Sequence, residues 1–258
     1  MAVGTPQAAR VPRGPAALTA LPVSARRSRF TSEYWAGLRW LAFGRAVPGV
    51  LFGLMGALQL QRVVTAIQTM PPGAGATRVA DKVVSPLLYC AFCAIPAVLY
   101  LTRPQPKARD GRAMVRVAAF TGTLMQLLVG TFLGTGPVLY GLPPFTGGVS
   151  VVISIVSFSG AIWSLAYLRR SLSIIPEARR LTTGGPYRVV RHPLYLFEIM
   201  AAMSVLASAL GVISAISFVG FVGMQMTRAR FEERLLAGAF PEYAGYARRT
   251  KRLIPFVW

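Results

Sequence analysis

The chain has 258 residues, is 54% hydrophobic and only 14% charged, and carries 28 Lys and Arg against 8 Asp and Glu, a net charge of +20. The apolar fraction excludes disorder for the chain as a whole, two cysteines exclude a disulfide scaffold, and a soluble nucleic-acid binder this basic would be far less apolar. An integral membrane protein is the class that remains.

Residues 1–32 are rich in Ala, Pro and Arg and contain no apolar run long enough for a signal-peptide core. They read as a basic, disordered cytoplasmic arm. Five apolar blocks follow. The first runs from about Leu38 to Leu60, with Trp35 and Trp40 as interfacial anchors and Arg45 close enough to its end to snorkel. The next three run from about Val83 to Leu101, Ala113 to Leu133 and Gly148 to Leu168. Each approaches the roughly 20 residues that a membrane-crossing helix needs. The fifth, Leu194 to Met226, has 33 residues and one acid, Glu198. As one straight helix it would reach roughly 50 Å, well beyond a hydrocarbon core of about 30 Å. It is therefore expected as a hairpin of two helices, about 194–210 and 212–236, turning at Gly211.

The predicted fold is an all-α membrane bundle of about six spans. Residues 33–168 form a four-helix membrane region, and residues 169–258 a core with the hairpin and a cytoplasmic tail. Basic residues test this topology. The arm to Arg39 holds six, Arg103–Arg116 five, Arg169–Arg191 six and Arg228–Arg252 seven, 24 of the 28 in all. Six spans put these four regions on one side, and the positive-inside rule makes that side, with both termini, cytoplasmic. The same rule accounts for most of the charge, which leaves no role for nucleic acid. Met70–Gly75 reads as an external loop. No internal repeat of the kind common in secondary transporters is visible.

Several chemical-looking features read as structural. Cys90 and Cys93 form C-x-x-C inside an apolar span, where cysteine behaves as a small hydrophobe. A zinc site wants more ligands than one histidine and two cysteines supply, so no metal is expected. Gly130, Gly134 and Gly136 read as close-packing residues, and no G-x-G-x-x-G is present.

Polar chemistry concentrates in the last third of the chain. Gly184-Gly185-Pro186 is a turn signal, and His192-Pro193 opens the hairpin, with proline suited to a first helical position. Read alone, His192 is either an interfacial polar residue or part of a site. Glu198, one turn into the hydrocarbon, is either a snorkelling acid or a site residue. Arg228 and Glu232 share a helix face, which by itself means only a surface ion pair. The hairpin, however, brings His192 and Tyr195 next to Arg228 and Glu232. That pocket would take a water-soluble cofactor from below and a lipophilic molecule from the side.

Gly185-Pro186-Tyr187, Arg191-His192-Pro193-Leu194-Tyr195, Arg228-x-x-x-Glu232-Glu233, Tyr243-x-x-Tyr246 and Arg252-Leu253-Ile254-Pro255 together resemble the isoprenylcysteine carboxyl methyltransferase family, to which membrane phospholipid methyltransferases are related. The resemblance covers about residues 169–258. It implies an S-adenosylmethionine-dependent methyltransferase. Carried over by position, Tyr187, His192, Pro193, Leu194, Tyr195 and Glu232 would surround the cofactor, together with Arg179, Arg180, Leu181 and Thr182. Arg228 would contact substrate and position it for the reaction, with Glu198 beside it. Two positions depart from the family pattern: Arg179, where a histidine is frequent, and Glu198, where a small residue is usual. The expected acceptor is lipophilic, most simply a carboxylate such as that of an isoprenylcysteine. A small thiol, a phospholipid amine and a non-catalytic binding protein of the same fold stay open, as does the oligomeric state.

Overall fold

The computed structural model describes residues 35, 37, 38, 41–102, 108–109, 112–128, 136–137, 145–174, 177–208 and 210–254. The arm 1–32, Trp40, Gly130 and Gly134 lie outside the described residues. The chain divides into a unit Met1–Gly44 and a unit Arg45–Trp258. In the first, Trp35, Leu38, Leu41 and Phe43 are exposed helical residues. Everything below concerns the second.

That unit is helical. Its elements are α1 (Val47–Thr69), α2 (Ala76–Thr102), α3 (Ala113–Leu128), α4 (Thr146–Leu168), α5 (Pro193–Ser208), α6 (Val212–Ala239) and the short α7 (Tyr243–Arg249). The one sheet among the described residues is a two-residue antiparallel pairing, Ala108–Arg109 with Glu177–Ala178. Helix α1 packs on α2, α2 on α4, α4 on α5, α5 on α6, and α6 on α3.

The burial pattern inverts that of a soluble bundle. Val50, Leu54, Val98, Val152 and Val219 point outward, whereas α4 buries Ser150, Ser154, Ser157, Gly160 and Ser164. Small residues let helices approach when lipid removes the hydrophobic drive between them. Three of the serine hydroxyls are satisfied on the backbone: Ser157 donates to the Ile153 carbonyl at 2.6 Å and Ser164 to Gly160 at 2.8 Å, while Ser150 crosses to the Ser204 carbonyl of α5 at 2.6 Å. Apolar side chains inside the bundle, including Phe52, Phe92, Tyr100, Leu165 and Leu194, form its core.

Among the described residues four helices are long and apolar enough to cross a bilayer: Ala42–Thr69, Ala76–Thr102, Thr146–Leu168 and Val212–Ala239. Six spans were expected. Helix α5 has 16 residues, about 24 Å at 1.5 Å per residue, short of a hydrocarbon core of about 30 Å, and α3 is described over 16 residues, as far as Leu128. The first two blocks also extend further than expected, to Thr69 and back to Ala76, because the polar residues at their outer ends continue the helix.

The fifth block divides as expected, between Ser208 and Val212. The turn does not use glycine's conformational freedom: Gly211 is extended, at φ −112°. Its N–H donates to the Ser214 hydroxyl at 2.9 Å, which ties down the start of α6. Gly136 is a loop residue at φ +71°, and a Cβ there would lie 2.6 Å from the Ile213 side chain. It thus packs against the start of α6 as a non-helical residue.

Candidate functional site

The connection from α4 to α5 is shaped by local turns. Gly185, at φ +56°, opens a 3₁₀ turn, Gly185–Arg188, and lies under the Tyr167 ring, where a Cβ would come within 2.5 Å. Glycine meets both demands. The turn buries Tyr187. The chain then runs beside the C-terminal tail: the N–H groups of Arg191 and His192 donate to the carbonyls of Lys251 and Arg252 at 2.8 and 3.0 Å. Pro193 starts α5 and is fully buried. Tyr246, on α7, donates to the Tyr187 carbonyl at 2.7 Å and closes this base from below.

Glu233 is the hub of the base. Arg191 Nε donates to its Oε1 at 2.7 Å, and Arg252 Nε and Nη2 donate to its Oε2 at 2.9 and 2.6 Å. His192 Nε2 lies 3.3 Å from Oε1. Arg191 Nη1 also donates to the carbonyls of Ala247 and Thr250, both at 2.6 Å. One carboxylate therefore ties α6 to the start of α5, to α7 and to the tail. The hydrogen bond to Glu233 raises the Arg252 guanidinium above its ordinary pKa. Burial pushes the Tyr187 hydroxyl well above 10 and that of Tyr246 up to about 12.

Glu232 faces elsewhere. Its Oε2 accepts from the Tyr195 hydroxyl at 3.1 Å and lies 3.6 Å from His192 Nδ1. The His192 and Tyr195 rings stack, with centroids 5.4 Å apart and planes 5° from parallel. The Arg228 guanidinium lies 4.9 Å from the Tyr195 ring centroid, a cation–π contact. Arg228 is buried; its Nη1 donates to Gln225 Oε1 at 2.9 Å and its Nη2 to the Ile174 carbonyl at 3.4 Å, while Nε has no partner among the described residues. Its stem passes Gly122 of α3, where a Cβ would stand 3.0 Å from Arg228 Cδ. Gln225, fully buried, donates through its amide nitrogen to Glu198.

These groups line one cavity of about 510 Å³. Tyr187, His192, Tyr195 and Glu232, which meet at the base of the bundle described above, share its lining with Arg228 and Glu198, with the apolar Phe52, Phe158, Phe197 and Phe221, and with Gln59, Arg62 and Asp81. Of the residues expected at the site, Tyr187, His192, Leu194, Tyr195, Glu198, Arg228 and Glu232 meet on this wall. Pro193 is behind it, as a helix start. Arg179 is buried, Arg180 exposed, and Leu181 and Thr182 half-buried in the α4–α5 connection, all four off the wall. Sequence reasoning missed Gln225, Glu233 as the clasp, and Tyr100, whose hydroxyl accepts from the Ile174 N–H. A glutamine within an apolar helix, three residues before Arg228, was the available signal for the first. Cys93 is buried in α2 and Cys90 half-buried, with Gly56 of α1 against the pair, as packing requires.

Residues 143–243 match the phospholipid methyltransferase family model. The cobalt-zinc-cadmium resistance protein CzcN of Cupriavidus metallidurans is 34% identical over 97 residues, 37% of this chain and 43% of that protein. The nickel-cobalt-cadmium resistance protein NccN of Alcaligenes xylosoxydans xylosoxydans is 33% identical over 97 residues, with the same shares. The chain thus spans less than half the length of the curated relatives it matches. The matched segment begins just before α4 and takes in the α4–α5 connection, α5 and α6, but stops at the first residue of α7, short of Tyr246 and the tail. Among the described residues four helices are long and apolar enough to cross a bilayer, two of them inside the matched segment: this is an integral membrane protein whose residues 143–243 resemble the phospholipid methyltransferases.

Proposed function

We propose that the protein transfers a methyl group from S-adenosylmethionine to a lipophilic acceptor at the membrane. One observation carries this reading: one cavity is lined both by the acidic and aromatic groups Glu232, Tyr187 and Tyr195 and by apolar rings, with buried Arg228 on the same wall.

The residues at the base fit the cofactor. Glu232, on the wall, has carboxylate oxygens left to accept from an ammonium or from ribose hydroxyls. Tyr187 and Tyr195 provide ring surface beside a sulfonium, worth about 0.5–2 kcal/mol. Tyr187, His192, Leu194, Tyr195 and Glu232 would hold the cofactor, with Pro193 fixing the start of α5. Arg179, Arg180, Leu181 and Thr182 belong to this side of the site by resemblance, off the wall. Bound S-adenosylmethionine would supply an electrophilic methyl group. The protein's part is positioning and exclusion of water. The base faces the cytoplasm in this reading, as do both termini, because the basic segments gather there.

By resemblance the acceptor is a carboxylate, such as that of an isoprenylcysteine. A carboxylate is ionised near neutral pH and needs no base. Arg228 would orient it through its fork of donors. A phospholipid amine or a small thiol is the second reading, favoured by Glu198 on the same wall. The test is S-adenosylmethionine binding to detergent-purified protein, wild type against His192→Ala and Glu232→Ala. Saturable binding that is lost in both variants is expected. Absence of binding to monodisperse wild-type protein would leave a membrane binding protein with inherited architecture.

A further inference from the structure

We infer that Glu198 is the proton acceptor of the transfer, and that the acceptor is therefore a neutral molecule with an N–H or S–H to lose, not a carboxylate. This rests on the methyltransferase reading above and selects its second class of acceptor over the carboxylate that the resemblance implies.

Glu198 lies on α5, three residues beyond Tyr195, and its accessible surface is on the cavity wall. Gln225 holds one of its oxygens and is itself fixed, fully buried, by accepting from Arg228. Glu198 has no other hydrogen bond among the described residues, so the second oxygen is available to the cavity. A carboxylate within an apolar helix is costly, and such acids are by default marks of a functional site. Arg228 does not require it: the guanidinium is already served by Gln225, the Ile174 carbonyl and the Tyr195 ring, and no direct ion pair joins the two.

Charge balance points the same way. The wall carries Arg228, Glu198 and Glu232, together with Arg62 and Asp81, whose opposite charges cancel, while Arg191 is committed to Glu233. One cation and two anions leave a single negative charge, which S-adenosylmethionine, with its sulfonium, ammonium and carboxylate, neutralises. A carboxylate acceptor would then stand as an uncompensated anion in a low-dielectric chamber, beside a like charge. A neutral amine or thiol adds none. The groups acting on Glu198 from neighbouring elements are Gln225 and Arg228 of α6, Tyr89 of α2, Tyr195 of its own helix and Tyr187 of the connection.

In the step, the acceptor's lone pair forms a bond to the methyl carbon as the methyl–sulfur bond of S-adenosylmethionine breaks, its electron pair remaining on that sulfur. The acceptor's proton passes to the free oxygen of Glu198. Nothing is oxidised or reduced, and the proton leaves to water afterwards.

The experiment uses three probes of one chain length, dodecylamine, dodecanethiol and dodecanoate, with labelled S-adenosylmethionine and the full chain in detergent. Wild type is expected to methylate the amine or the thiol, the two arms showing which atom is used. Glu198→Gln should lower that rate by about 10²–10⁴-fold, the usual contribution of a positioned base, with the deficit shrinking as rising pH deprotonates the probe itself. Glu198→Asp should fall between, and serves if the glutamine variant fails to fold. A readout without turnover is displacement of a bound fluorescent lipid. Removing the like charge should strengthen dodecanoate binding by about tenfold or more and leave dodecanethiol nearly unchanged. Methylation of dodecanoate alone, equal in wild type and Glu198→Gln, would overturn the inference and leave the methyltransferase standing. Failure to bind S-adenosylmethionine at all would instead remove the reading on which it rests.

Discussion

Glu232 and Glu233 are neighbours on α6 that share His192 and otherwise divide their partners: Glu233 accepts from Arg191 and Arg252, whereas Glu232 accepts from Tyr195 and faces the cavity. The separation follows from helix geometry, in which successive residues point about 100° apart. One acid can hold the floor together while the next is left for a ligand.

Glu233→Gln should therefore destabilise the fold. The variant leaves Arg191 and Arg252 without their shared anion in a half-buried clasp. Breaking such a pair costs about 3–5 kcal/mol when it is buried, and less here because Arg252 is partly exposed. Thermal unfolding in detergent, with limited proteolysis of the tail after Arg249, measures it. Early release of the tail is the expected mark. A variant as stable as wild type would show that the clasp is dispensable.

Arg228→Ala should lower turnover by at least about a hundredfold, the cost of a misplaced reactant, while S-adenosylmethionine affinity falls much less. The guanidinium lies over Tyr195 and above the base, so its loss strikes the acceptor side first. Steady-state kinetics paired with cofactor titration separates the two effects. Equal loss of both would mean that Arg228 serves the cofactor.

Tyr246→Phe removes the hydrogen bond to the Tyr187 carbonyl and should cost about 1 kcal/mol. The pH dependence has a definite sign. The Tyr246 hydroxyl titrates near 10 when unfolded and at about 12 in the fold. Its contribution to stability is complete below pH 10 and is lost as pH rises through about 12. Unfolding curves across that window should fall less steeply for the variant than for wild type. Parallel curves would remove Tyr246 from the account.

Cys90→Ala with Cys93→Ala should leave methyl transfer unchanged and cost about 1 kcal/mol of stability, from the small void at the buried Cys93. An inactive but folded double variant would show that the thiols have a chemical role that their packing against Gly56 does not suggest.

Much of this protein was legible before any coordinates. Apolar runs separated by basic segments mark a membrane bundle, because a lipid-facing helix must be apolar along its whole length and charge is tolerated only at the ends. A 33-residue run had to break, and it breaks beside Gly211. The spacing of the motifs around Tyr187, His192, Tyr195, Arg228 and Glu232 was sufficient to gather them at one site. Span lengths were less legible, since the ends of α1 and α2 are polar enough to read as loop.

What the tertiary structure alone decided is partnership. In sequence, Arg228 and Glu232 look like an ion pair one turn apart; in the fold both engage the Tyr195 ring or its hydroxyl, and Arg228 turns to Gln225 and Ile174. Glu233 gains partners 41, 42 and 19 residues away, and Glu198 meets Gln225 across the hairpin, 27 residues on. Periodicity records which face a residue occupies, because the helix repeat is local. Which charges then neutralise one another depends on distances between helices, and those are set only when the whole bundle packs.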